Sequence, residues 1–138
     1  MQMFEKTREF HPDSLIASHE FPIITECIAL KAGQGVLKRG SLITKGSDGI
    51  GYIAGTSVDV TPDDGDPSTM EMKVFGILTD DVDTGSTEEI DSDNVHSTCY
   101  VTGIFNRGAI AVKEESQLET FEYEMRTVSL FLQNVQNY

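Results

Sequence analysis

The chain has 138 residues, a length typical of one domain with its own core. It carries 23 acidic and 10 basic residues, a formal net charge of −13, and this sign opposes binding to nucleic acid or anionic membranes. No apolar run approaches the ~18 residues of a membrane span, and the N-terminus lacks an apolar signal core. We therefore expect a protein made and used in solution, with Cys27 and Cys99 as half-buried, reduced thiols.

Residues 1–22 form the first segment, which is polar and interrupted by Pro12 and Pro22. Its isolated apolar residues show no period, so we interpret it as an N-terminal arm that stays disordered or extended until bound. Residues 23–138 are predicted to form a single globular, β-rich domain. The arm then needs a partner to fix its conformation.

Strand patterns dominate the first half of this domain, where β-branched and apolar residues recur between glycine-rich turns. The glycines of Gly46–Gly49 predict a hairpin turn. Two turn-rich stretches, 57–71 and 79–94, are predicted loops, and residues 59–93 contain twelve acids but one base, Lys73. The predicted strands are Ile23–Leu30, Val36–Ile43, Ile50–Ala54 and Val74–Leu78.

The stretch Cys99–Phe105 predicts the central strand, because Cys99, Val101 and Phe105 share one parity. Gly103 in its middle indicates a bulge or a close backbone neighbour, and Asn106–Gly108 indicates a turn. We expect Phe105 and Val74 in the core. Arg107 should have a structural role, in an exposed ion pair with an acid of Asp80–Asp83.

A helix is predicted within Lys113–Arg126, since Leu118, Phe121 and Met125 fall on one helical face. Alternation of Val128, Leu130 and Leu132 predicts a closing strand. The fold class is therefore mostly β (α+β): a compact β-clip or barrel-like sheet with one short helix near the C-terminus and an extended N-terminal arm.

Candidate chemistry is sparse. The loops starting at Asp59 and Asp80 both fail the EF-hand pattern, so we expect solvated loops and leave an irregular calcium site as the lesser alternative. Three histidines, of which His11 and His19 lie in the arm, do not predict a zinc site. No Gly-x-Ser-x-Gly elbow or phosphate-binding loop occurs. We expect no enzyme activity, no metal and no cofactor.

Several stretches, in this order, resemble the head decoration (cement) proteins of lambda-like tailed phages. A short helix and a closing strand complete the likeness, which covers most of the chain. The loops at residues 59–67 and 88–94 look longer than in the simplest family members. The stretches are Pro-Asp-Ser-Leu-Ile-Ala (12–17), Ala-Gly-Gln-Gly-Val-Leu-Lys-Arg-Gly-Ser-Leu (32–42), Val-Phe-Gly-Ile-Leu-Thr-Asp-Asp-Val-Asp (74–83) and Tyr-Val-Thr-Gly-Ile-Phe-Asn-Arg (100–107).

The resemblance implies a non-enzymatic structural protein that forms homotrimers with a β-clip-like fold. Such trimers sit on the outside of the expanded head, at threefold and quasi-threefold sites, and stabilise it against packaged DNA. The implied partner is the major capsid protein, and the implied location is the virion surface after assembly in the host cytoplasm. Candidate capsid-binding residues in the arm are Phe10, His11, Pro12, Asp13, Leu15 and Ile16.

An alternative from another class is a small acidic binding module of some other assembly, with or without calcium dependence. A chelator-insensitive trimer favours the decoration protein, whereas a monomer that unfolds when calcium is chelated favours the module.

Overall fold

A computed structural model describes residues 15–60, 65–89, 93–114 and 116–134. One α-helix, α1 (Glu119–Thr127), and two 3-10 turns, Thr87–Glu89 and Arg107–Ala109, accompany the strands within these ranges. The strands are β1 (Ile16–Ser18), β2 (Ile24–Leu30), β3 (Val36–Leu37), β4 (Leu42–Gly46), β5 (Gly51–Ile53), β6 (Asp59–Val60), β7 (Ser68–Thr69), β8 (Met72–Leu78), β9 (Val82–Asp83), β10 (Val95–Asn106) and β11 (Leu130–Gln133).

Five of these strands close into a barrel in the order β10-β2-β5-β4-β8, because β10 pairs with both β2 and β8. The predicted fold class, mostly β and barrel-like with one short helix near the C-terminus, is confirmed. The predicted hairpin forms between β4 and β5. The two predicted loops contain short strands of their own, since β6 pairs with β7 and β9 pairs with β3.

Two apolar clusters lie on the two faces of β4 and β8. The first fills the barrel with side chains from four barrel strands and from β3: Ile28, Leu30, Leu37, Ile43, Leu78 and Cys99. The second lies on the outer face, where α1, β1 and β11 cover it: Leu15, Leu42, Ala54, Val74, Ile77, Phe105, Met125 and Leu130. Neighbouring residues such as Leu42 and Ile43 therefore enter different clusters, as the alternation of a strand requires.

The long strand β10 contains a bulge that reverses which face of the sheet its alternate side chains point to. Its pairing with β2 shifts register between Tyr100 and Thr102, and Gly103 has φ +147°. A Cβ atom at Gly103 would lie 2.8 Å from the Phe105 ring, so this position favours glycine. The bulge expected at Gly103 lies just before it, between Tyr100 and Thr102. The expectation that Cys99 and Phe105 share one face is wrong, because the bulge places them in different clusters.

Helix α1 begins at Glu119, later than predicted, and presents the predicted apolar face. Met125 is fully buried, while Leu118 and Phe121 pack against the outer cluster. The helix is also tied to the barrel through Glu124, whose Oε2 accepts a hydrogen bond from the Val74 amide at 2.7 Å. The barrel and the C-terminal helix thus form one packed unit.

The predicted arm, residues 1–22, contacts the domain within its described part, from Leu15 onward. Leu15 is 1% exposed and belongs to the outer cluster, and its carbonyl accepts a hydrogen bond from the Asn106 amide at 2.8 Å. Ile16 is half-buried and pairs with Phe105 across β1 and β10. Two apolar residues without a period give no sequence signal of burial. Their burial depends on the distant end of β10.

Replacing Phe105, which is fully buried, with alanine should lower the free energy of unfolding by about 3–5 kcal/mol because a large cavity forms. Val36→Ala is the control, since Val36 is 55% exposed and should change stability by less than about 1 kcal/mol. Urea melts of both variants measure the difference. Equal stabilities would contradict the assignment of Phe105 to the core.

Two truncations separate the domain from the segment before it. Deleting residues 1–14 should leave the urea midpoint close to that of the full chain. Deleting residues 1–19 should lower the free energy of unfolding, since the loss of Leu15 alone accounts for about 2–5 kcal/mol. If both truncations melt alike, Leu15 does not contribute to the core.

Candidate functional site

The six predicted capsid-binding residues divide into two groups. Phe10, His11, Pro12 and Asp13 lie outside the described residues. Leu15 is buried in the protein's own core, and Ile16 is half-buried and packs against the same cluster. Leu15 therefore offers almost no surface to a capsid subunit, whereas the contact of half-buried Ile16 stays a prediction.

Arg39 lies where three of the sequence stretches quoted above meet. Its Nη1 donates to the Thr79 carbonyl at 2.8 Å and to the Tyr100 hydroxyl at 2.9 Å. Its guanidinium lies 5.6 Å from the centroid of the Tyr100 ring, and its backbone amide donates to Asp81 Oδ1 at 2.7 Å. These contacts join the β3–β4 connection to the end of β8 and to β10. The sequence does not reveal this role, since one arginine between a lysine and a glycine carries no pattern.

The described chain begins beside Gly40, next to this cluster. The Leu15 side chain lies 3.4 Å from the position of a Cβ on Gly40, and that Cβ would lie 2.6 Å from the Ala109 carbonyl oxygen. Gly40 also has φ +96°, a conformation that other residues rarely adopt. Leu15, the first described residue, therefore lies at the Gly40–Ala109 surface.

Arg107 pairs with the helix instead of the acidic loop, so the predicted partner in Asp80–Asp83 is wrong. Both guanidinium Nη atoms bond the Glu122 carboxylate, with Nη2 at 2.8 Å from Oε2, and Arg107 Nε donates to Asn134 at 3.0 Å. The side chains of Arg107 and Glu122 are 29% and 15% exposed. The pair is thus more buried than expected, and it joins the end of β10 to α1.

An open strand edge lies along the first half of β2. This strand pairs with β10 over its length, but its pairing with β5 is confined to Leu30 opposite Gly51. Among the described residues, no hydrogen bond joins the backbone of residues 24–27 to a strand other than β10. All four side chains are exposed, and that of Ile24 is 50% exposed. Such an edge can accept a further strand.

A groove of about 730 Å³ opens on another part of the surface, beside β3 and β5. Apolar side chains line much of it, including the exposed Val36. Two bases, Lys31 and Lys113, and two acids, Asp59 and Glu114, also line it. Because the charges balance, the groove does not favour a ligand of either sign.

The described residues contain no group of three or more His, Cys, Asp or Glu side chains able to hold a metal ion. Asp48 bonds the Ile50 amide at 3.0 Å and the Tyr52 hydroxyl at 2.9 Å. Burial, together with Asp48, raises the pKa of Tyr52 to about 12. Burial also raises the pKa of Cys99 to about 12, so this thiol stays protonated near neutral pH and is a poor nucleophile.

Comparisons with known proteins give neither a matching family model nor a matching curated protein. Within the described ranges, no helix is both long enough and apolar enough to cross a membrane. The observations that bear on function are therefore the fold, its open surfaces and the quoted sequence stretches.

Glu122→Gln should destabilise the protein at neutral pH by about 1–3 kcal/mol because a charge-assisted bond to Arg107 is lost. Hydrogen bonding to Arg107 lowers the pKa of Glu122 below its ordinary value of 4.5. The ionised carboxylate therefore stabilises the fold above that pH, and this contribution is lost as the pH falls through the lowered pKa.

The difference in the free energy of unfolding between Glu122→Gln and the unmodified protein should accordingly decrease on acidification below about pH 4.5. Urea melts at several pH values measure it, with Glu88→Gln, at an exposed position, as the matched control. A difference in the free energy of unfolding that stays constant down to pH 2 would show that the Glu122 carboxylate does not act through its charge.

Proposed function

We propose that the chain is a capsid decoration protein, a homotrimer that binds the outside of an expanded tailed-phage head and stabilises it. The supporting observation is that the stretches resembling this class pack against one another. Arg39 contacts Thr79, Asp81 and Tyr100, which come from two other quoted stretches, and Leu15 of a fourth contacts Gly40. The likeness thus follows a connected set of contacts, as a shared fold would require.

The charge distribution supports the same role. Exposed acids such as Asp80, Asp81 and Asp83 cover the turns after β8 and β9. A protein with this surface avoids nucleic acid, and a decoration protein works on the side of the shell away from the genome. In a trimer these acidic turns would point away from the threefold axis, since like charges brought together oppose assembly.

Residues 1–14 are the proposed contact with the shell, a segment that ends eight residues before the boundary first expected at residue 22. Their backbone can add a strand to an exposed edge of a capsid subunit, a mode of binding that any sequence permits. Burying Phe10 contributes about 1.5–3 kcal/mol. Ordering the backbone costs about 1–2 kcal/mol per residue, so one arm alone binds weakly. Three arms on one trimer make the attachment multivalent.

Mixing the protein with expanded, undecorated heads tests the proposal by co-sedimentation. The full chain should bind in stoichiometric amounts, and deletion of residues 1–14 should reduce uptake by orders of magnitude without unfolding the domain. Phe10→Ala should give part of the loss. Tyr123→Ala, which removes an aromatic ring that is 79% exposed on α1, is the matched control.

The mass in solution is measured in parallel, with and without a chelator. A trimer that binds heads through residues 1–14 agrees with the proposal both in its oligomeric state and in its contact with the shell. Absence of uptake by the folded full chain contradicts the decoration role. Equal uptake by the truncated and full chains shows that another surface, and not the arm, contacts the shell.

A further inference from the structure

Three donor atoms converge beside Gly46, the last residue of β4. A Cβ atom at this position would lie 2.6 Å from Met70 Sδ, 2.8 Å from Asp48 Oδ1 and 3.3 Å from Met72 Sδ. Gly46 does not have a left-handed φ, so its backbone conformation does not require glycine. The absence of a side chain instead leaves a small space that two thioethers and a carboxylate surround.

We propose that Asp48, Met70 and Met72 bind a soft monovalent metal ion of the Cu(I) class. Thioether sulfur is a soft ligand that favours Cu(I), whereas Ca²⁺ and Mg²⁺ take oxygen ligands. The single carboxylate balances the single positive charge of such an ion. The chemistry differs from that of calcium and zinc sites, whose sequence patterns contain no methionine.

The backbone holds both methionines against the turn between β4 and β5. Met72 pairs with Gly46 across β8 and β4. The Ser47 amide donates to the carbonyl of Glu71, the residue between the two methionines, at 3.1 Å. Met70 and Met72 are both half-buried. Small rotations of these flexible side chains suffice to bring the sulfur atoms to bonding distance, because the backbone already places them beside one space.

Hydrogen bonds orient the third ligand, Asp48. Its Oδ1 accepts from the Ile50 amide at 3.0 Å, and its Oδ2 accepts from the Tyr52 hydroxyl at 2.9 Å. A carboxylate oxygen has two lone pairs, so Oδ1 can accept this bond and also bind an ion. Metal-binding carboxylates are commonly held by outer hydrogen bonds of this kind. Because Asp48 is exposed, an ion can reach the space from solvent.

The neighbouring lysines do not neutralise this carboxylate. Lys45 and Lys73 face each other across β4 and β8. Lys45 Nζ lies 5.5 Å from the centroid of the Phe75 ring, and Lys73 Nζ lies 3.9 Å from Glu71 Oε2. Neither of these two described lysines forms an ion pair with Asp48. The negative charge of Asp48 therefore stays available to a cation.

Silver ion tests the site, because Ag(I) has the charge and the ligand preference of Cu(I) without its redox chemistry. The exposed thiol of Cys27 would also bind silver, so every variant carries Cys27→Ser. In the full chain, labelled at the methionine methyl carbons, equimolar silver nitrate in chloride-free buffer should shift two NMR signals. These are the signals missing from the spectra of Met70→Leu and Met72→Leu. Calcium at the same concentration should shift neither.

The affinity for silver is measured from the same titrations. Met70→Leu and Met72→Leu nearly conserve side-chain volume but each remove one ligand, so each should weaken binding at least ~10-fold. Asp48→Asn should have a similar effect, since it removes the charge but keeps an oxygen acceptor for the Ile50 amide. Met3→Leu, which removes a thioether at the other end of the sequence, is the matched control and should leave the affinity unchanged.

The melting midpoint gives a second measurement. Silver should raise the midpoint of the Cys27→Ser protein more than that of the variant lacking both the Met70 and Met72 thioethers, because an ion that binds only the folded state stabilises it. The midpoints without silver show that each domain is intact.

Unshifted methyl signals of Met70 and Met72 in the folded protein would overturn the proposal. Equal affinities for Asp48→Asn and its parent would also overturn it, as would shifts confined to the other methionines. The decoration role is not required for this site. All of these measurements use the free protein without heads, so failure of silver binding and failure of head uptake are separate results.

Discussion

The pairing of β10 with four other strands is the constraint on which the fold depends. Its first half closes the barrel between β2 and β8, and its second half pairs with β1 and β11. One strand can serve both sets because the bulge before Gly103 exchanges its faces, so that Cys99 enters the barrel and Phe105 enters the outer cluster. Without that exchange, Phe105 would leave the cluster that holds Leu15 and Leu130.

Polar contacts fix the relative positions of strands and helix that apolar packing alone leaves undetermined. Both faces of β4 and β8 are covered, but apolar contacts are non-directional and tolerate small shifts between layers. Arg39 connects the β3–β4 segment with β8 and β10 through two hydrogen bonds from Nη1, and Arg107 connects β10 with α1 through Glu122. Each arginine joins segments far apart in sequence, so each restricts the relative position of elements that hydrophobic burial alone would allow to slide.

Local periodicity predicted most strands and the helix, since alternation and the spacing of Leu118, Phe121 and Met125 are properties of one stretch. It did not predict contacts that need two stretches. Leu15 is buried by the far end of β10. Arg107 pairs with an acid on α1 instead of an acid of the predicted loop, Asp80–Asp83. The open edge of β2 was equally invisible, because its strand pattern is the same whether or not β5 runs beside it. The surfaces a partner would use thus depend on tertiary arrangement.

The open edge of β2 sets a condition on how copies of this domain associate. Ile24 is 50% exposed, and the backbone of residues 24–27 has β10 on one side and no described strand on the other. Such an edge can pair with a further strand. Pairing between copies is opposed by charge, because each copy carries a formal net charge of −13. The acidic surface therefore protects the open edge against self-association, while a partner without net negative charge meets no such repulsion.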